Sequence, residues 1–77
     1  MVSLWHAPFL RPLRVQDLSA VPTEARLVLA QLGIDEGETL EKRHVAPLGD
    51  PVTLLLGAHQ FTLRRELCLQ IQVKEAR

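Results

Sequence analysis

"HVAPLGDPVTLLLGAHQFTL", residues 44–63, is the stretch on which the fold turns. Pro47 and Pro51 fix φ and withhold backbone donors, Gly49 permits an unusual dihedral, and Asp50 can bond to nearby turn backbone. "APLGDP" is therefore a rigid corner between two strands, and a rigid corner also presents a preformed surface at little entropic cost. After it, "PVTLLL" is apolar on both faces near its end, as a central strand covered on both sides would be. Beyond "GAH", the runs "QFTLR" and "LQIQV" alternate. Phe61 pairs with Leu63, and Leu69, Ile71 and Val73 share a face with glutamines between them.

Toward the N-terminus, "ETLEKRHVA" is extended but alternates poorly, because Lys42 falls on the face of Leu40 and Ala46; this predicts an edge strand or a bent one. "IDEG" is a turn with Gly37 available for positive φ. "PTEARLVLAQLG" predicts the one helix, from about Pro22 to Leu32. Pro22 suits a first turn, Glu24 complements the positive end of the dipole, and Gly33 sits where a left-handed cap is wanted. "PLRVQDL" is a first strand, with Leu13 and Val15 on one face and Arg14 and Gln16 on the other. Four or five short strands with one helix predict a mostly β protein closed into a small barrel, which removes most exposed edges.

A chain of 77 residues makes one domain with a small core. Its hydrophobic fraction of 47% with 23% charged residues argues against disorder. Nine basic residues against nine acidic ones leave no field that pulls the chain toward nucleic acid or anionic lipid. Cys68 has no second cysteine to pair with, which predicts a cytoplasmic protein. No apolar run approaches the roughly 18 residues of a membrane span. "MVSLWHAPFLRPLR" lacks a basic start and is interrupted by prolines, so it is expected to be mature sequence.

Candidate chemistry is sparse. His6, His44, His59 and Cys68 are the residue types that hold zinc or ferrous iron, but no pair has chelating spacing. His44, His59 and Cys68 remain weak candidates, and no bound metal or cofactor is expected. Cys68 also suits a small core position. No Ser/His/Asp grouping or phosphate loop is present, so no catalysis is expected. Asp35, Glu36, Glu38 and Glu41 form an acidic cluster whose ordinary reading is a solvated turn. Arg64 and Arg65 are either a solvated pair or an anchor for a partner's carboxylate. Trp5 and Phe9 supply two of three aromatic residues; Trp5 is expected to pack over an open end of the core, the alternative being an exposed anchor.

Residues 29–73 resemble the FeoA family, small cytosolic proteins associated with bacterial ferrous iron uptake. The likeness is carried by Leu32-Gly33-Ile34 with Gly37, by Ala46 to Pro51, and by Leu63-Arg64-Arg65 before an alternating last strand. It implies an SH3-like barrel, no catalysis, and a role beside the membrane transporter FeoB, whose cytosolic part carries a GTPase domain. Any contact with the membrane would run through that partner, and self-association is left open. An SH3-like metal-responsive regulatory or metal-binding module is the alternative. The chain departs from the family pattern at Val28, where an arginine is usual, at Lys42 and Arg43, where an apolar pair is usual, and over "SLWHAPFLRP". The expected layout is a single domain over 1–77 with residues 1–11 as an N-terminal extension. Its expected core is Leu29, Leu32, Ile34, Leu54, Leu63, Leu69, Ile71 and Val73. The expected partner-binding surface is Pro47, Leu48, Gly49, Asp50, Pro51, Arg64 and Arg65, with Leu48 as its anchor.

Overall fold

The computed structural model describes residues 1–76. Strands β1 (Val2–Ser3), β2 (Pro12–Asp17), β3 (Thr39–Val45), β4 (Val52–Leu56), β5 (His59–Leu63) and β6 (Gln72–Glu75) form one antiparallel sheet in the order β1-β6-β2-β3-β4-β5. Helices α1 (Thr23–Gln31) and α2 (Arg65–Gln70) interrupt it. Fifteen buried hydrophobic residues lie in a single cluster. With one sheet and two short helices to cover them, the sheet must curl over its own inner face, as in the SH3-like architecture.

Helix α1 begins and ends as its sequence predicts. Pro22, at φ −57° and ψ 146°, occupies the N-cap position, and its carbonyl accepts from the Arg26 N–H at 2.9 Å. At the other end Gly33 takes φ 89°, its N–H donates to Ala30 O at 3.0 Å, and the Ile34 N–H donates to Leu29 O at 2.9 Å. These two bonds satisfy carbonyls that the helix leaves open, in the Schellman arrangement. A Cβ on Gly33 would also stand 2.8 Å from Leu56 Cδ2, so the position is closed to side chains on two grounds.

Strand β2 buries Leu13 and Val15 and exposes Arg14 and Gln16, as the alternation predicts. β4 lies between β3 and β5, with Val52, Thr53 and Leu54 buried. β3 lies inside the sheet rather than at its edge, and its register with β4 shifts between Lys42 and His44. The edge-strand alternative is thus overturned; Leu40 and Lys42 both face inward, and the shift falls beyond them.

Several expectations are corrected. Leu69 is 38% exposed because the chain from Arg65 to Gln70 is a second helix, so the last strand starts at Gln72 instead of Leu69. Period-two spacing of Leu69 with Ile71 and Val73 was satisfied in sequence, but the helix turns Leu69 off the face the other two share. Leu32 is 40% exposed at the C-cap of α1, where the chain reverses and Leu29 alone of the helix is fully buried. Phe61 is only partly buried, packed against the core's margin. Leu29, Ile34, Leu54, Leu63, Ile71 and Val73 are in the core as expected, and Cys68 joins them.

Residues 1–11 do not trail away from this sheet. Val2 and Ser3 pair with Val73 and Gln72, Leu4 and Ala7 are buried in the core, and Trp5 packs against it. Tight turns close the segment, with the His6 N–H bonded to Ser3 O at 3.0 Å and the Ala7 N–H to Leu4 O at 3.4 Å.

Candidate functional site: a braced corner beside a buried lysine

The β3–β4 connection is built as its residue types require. The Gly49 N–H donates to Ala46 O at 2.8 Å and the Ala46 N–H to Pro51 O at 3.1 Å, so Pro47 and Leu48 occupy the tip of a closed turn. Gly49 supplies φ 88°, and the Asp50–Pro51 peptide is cis. Leu48 is 97% exposed.

The corner is braced against the start of α2. Asp50 Oδ1 accepts from the Arg65 N–H at 2.9 Å, satisfying a donor that the helix leaves open. Asp50 Oδ2 lies 3.6 Å from Arg64 Nε, whose side chain is 83% exposed. Asp50, Pro51, Thr62 and Arg64 line a shallow open depression. The two stretches picked out from the sequence, "APLGDP" and "LRR", are therefore neighbours in space.

Behind the corner lies an arrangement that the sequence did not announce. Lys42, only 3% exposed, points inward from β3 and donates from Nζ to the carbonyl of Trp5 and, at 3.0 Å, to that of Ala7. The ammonium sits 4.5 Å from the Phe9 ring centroid and 5.6 Å from that of Trp5. The guanidinium of Arg65 lies 5.0 Å from the Trp5 centroid. A Cβ on Gly49 would be 3.8 Å from the Trp5 ring, so the indole lies directly beside the corner. Trp5 is half-buried there, packed against the core. The sequence did carry one signal, the placing of a lysine on the face of Leu40, but it was legible only as poor alternation.

Burial pushes the Lys42 ammonium below its ordinary range, and the nearby Cys68 sulfur pulls the other way. Burial likewise raises the Cys68 thiol, to about 11 from an ordinary 9.0; the Lys42 cation opposes that rise and Asp50 adds to it. Cys68 is thus a protonated, enclosed thiol, the opposite of the exposed low-pKa environment of a reactive cysteine.

The weak metal candidates are dispersed. His44 pairs with Thr53 and His59 with Leu56, on opposite sides of β4. At about 3.3 Å per residue and about 4.8 Å per strand, their backbones stand well over 10 Å apart. His44 Nε2 is 3.3 Å from Thr53 Oγ1, and His6 Nδ1 is 2.7 Å from Ser3 Oγ. Among the described residues no three His, Cys, Asp or Glu side chains converge. In the acidic cluster, Glu36 Oε2 accepts from the Leu18 N–H at 3.1 Å and faces Arg26 at 3.7 Å.

Fold and surface together define a small SH3-like β module with a projecting hydrophobic corner. It belongs to the FeoA domain family, whose model matches residues 6–75. Among solved structures, the iron(II) transport protein A of Clostridium thermocellum is 32% identical over 96% of this chain, with a TM-score of 0.87; this chain spans 45% of that one's length. FeoA from Chlorobium tepidum is 26% identical, covering 99% of this chain and 71% of the other, with a TM-score of 0.89. Stenotrophomonas maltophilia FeoA in complex with zinc is 28% identical over 96% of this chain and 91% of its own, with a TM-score of 0.68. That protein is described as a procaryotic SH3 domain protein and as a candidate bacterial ferrous iron transport activating factor. The comparison with curated protein sequences returned no match. Among the described residues no helix is long and apolar enough to cross a membrane.

Proposed function

We propose that this chain is a non-enzymatic adaptor of bacterial ferrous iron uptake, acting in the cytoplasm by docking on a FeoB-type transporter or its GTPase domain. Family membership supports the pathway, and the names of the Clostridium and Stenotrophomonas relatives point the same way. The observation that carries the docking surface is Leu48: a leucine 97% exposed at the tip of a turn closed by two backbone bonds and braced by Asp50. A structural turn more often places a polar residue there. Burying this side chain on a partner would contribute about 1.5–3 kcal/mol. A turn braced in this way loses little conformational entropy on binding. Arg64 adds orientation and encounter rate more than affinity.

The test is a titration of the transporter's cytosolic portion with the wild-type chain, Leu48→Ser and Arg64→Glu. Both variants should bind more weakly while their thermal midpoints stay at the wild-type value. Wild-type binding by Leu48→Ser would remove the corner from the interface, and unfolding of that variant would make the leucine part of the structure only.

A further inference from the structure

Leu10 is the only described residue other than glycine with positive φ, at 59°. Leucine is disfavoured in this left-handed region, where asparagine and glycine are at home. Its side chain is 62% exposed, so no core contact compensates for the conformation. Strain of this kind persists only where the surroundings impose it. Lys42 imposes it here: its carbonyl accepts from the Leu10 N–H at 2.9 Å while its ammonium holds the carbonyls of Trp5 and Ala7. One residue of β3 thus ties the loop from Trp5 to Leu10 at three points.

This loop is continuous with the corner. Trp5 lies beside Gly49 of the turn and against the Arg65 guanidinium, and Phe9, 46% exposed, lies over the Lys42 ammonium. Leu48 and Leu10 are exposed and Trp5 is half-buried. The charges along the run are mostly positive. Arg64 and Arg65 are exposed beside the corner, where the Asp50 carboxylate is already engaged with the backbone and side chain of the arginine pair. Lys42 has no carboxylate partner at all among the described residues.

We propose that the docking surface extends from Leu48 across Trp5 to Phe9 and Leu10, that Lys42 is the residue positioning this extension, and that the partner is a protein segment carrying apolar side chains bordered by carboxylates. The proposal rests on the docking reading above and names the chemistry of its partner. Charge complementarity selects the carboxylates.

The experiment titrates the transporter's cytosolic portion with wild type, Leu48→Ser, Leu10→Asn, Lys42→Met and the Leu10→Asn/Lys42→Met double variant, each checked for folding by circular dichroism. Leu10→Asn should keep or raise the thermal midpoint, since asparagine tolerates positive φ, yet weaken binding about tenfold or more. Lys42→Met should weaken it as well, and the double variant should bind no worse than Lys42→Met alone, because both act through one loop. Additive losses would overturn the positioning role. If Lys42→Met does not fold, Leu10→Asn alone decides the surface. Wild-type binding by Leu10→Asn with weakened binding by Leu48→Ser would overturn the extension and leave the corner standing; wild-type binding by both would overturn both. Binding of the wild-type chain to phosphatidylglycerol vesicles, lost in Leu10→Asn while transporter binding persists, would make the surface a lipid face and overturn the protein-segment partner.

Discussion

Strand β3 and the corner that follows it break the rule of apolar inside and polar outside in opposite directions. At Lys42 a cation is 3% exposed, and at Leu48 a large apolar side chain is 97% exposed. The buried ammonium is paired with two carbonyls and two aromatic rings, so its departure from the rule is resolved within the molecule. A buried charge without such partners would be far too costly to keep. Nothing within the fold resolves Leu48. A buried polar group that is fully bonded is an element of structure; an exposed apolar group on a braced turn is what the proposed docking reading rests on.

The comparison breaks first at Lys42. Lys42→Ala removes the donor to two carbonyls and leaves space beneath Trp5 and Phe9, and it should destabilise the fold by about 2–4 kcal/mol in chemical denaturation. Lys42→Met, which keeps the volume, should lose less. Loss below about 0.5 kcal/mol in Lys42→Ala would mean the ammonium is not an element of the structure.

Alkaline titration probes the same interior. The Cys68 thiol is raised to about 11 in the folded chain. The folded state therefore keeps a proton that the unfolded state releases near 9, and the stability it contributes is complete below pH 9 and lost as pH rises through about 11. Two pH units correspond to about 2–3 kcal/mol. Lys42 acts in the opposite sense: its lowered pKa makes a charged lysine unfavourable in the fold, and that penalty is relieved as pH rises toward the unfolded value of 10.5. Wild type should thus lose more stability between pH 9 and 11 than Cys68→Ala, by about 2 kcal/mol, in urea melts run across that range. Parallel curves would show that Cys68 titrates as it does in the unfolded chain.

On the corner the expected stability effects shrink. Leu48→Ser should change unfolding free energy by less than about 0.5 kcal/mol, because the side chain buries almost nothing. A larger loss would return Leu48 to the core and erase the contrast with Lys42. Smallest of all is Arg64→Glu. Its contact with Asp50 is long, at 3.6 Å, and highly exposed, so the thermal midpoint should move by no more than the uncertainty of the measurement. Binding is where Leu48→Ser and Arg64→Glu should be felt.

Local chemistry alone was sufficient for the helix from about Pro22 to Leu32 with its Gly33 cap, for the shared face of Leu13 and Val15 on β2, for the central place of β4, and for the corner with its exposed Leu48. Proline, glycine and alternation act within a few residues, so these features are readable without knowing what lies opposite. The second helix was not readable, because "RELCLQ" followed by "IQV" satisfies a strand's alternation; what makes Arg65–Gln70 a helix includes the Asp50 carboxylate that meets its first N–H from 15 residues away. Leu69 and Leu32 likewise have core chemistry but lie at a helix and a helix end that turn them outward. Only the tertiary structure decided that Lys42 is an interior residue, since its partners are carbonyls of a segment more than 30 positions earlier. A backbone carbonyl is the same in every residue, so no side-chain pattern could have announced them.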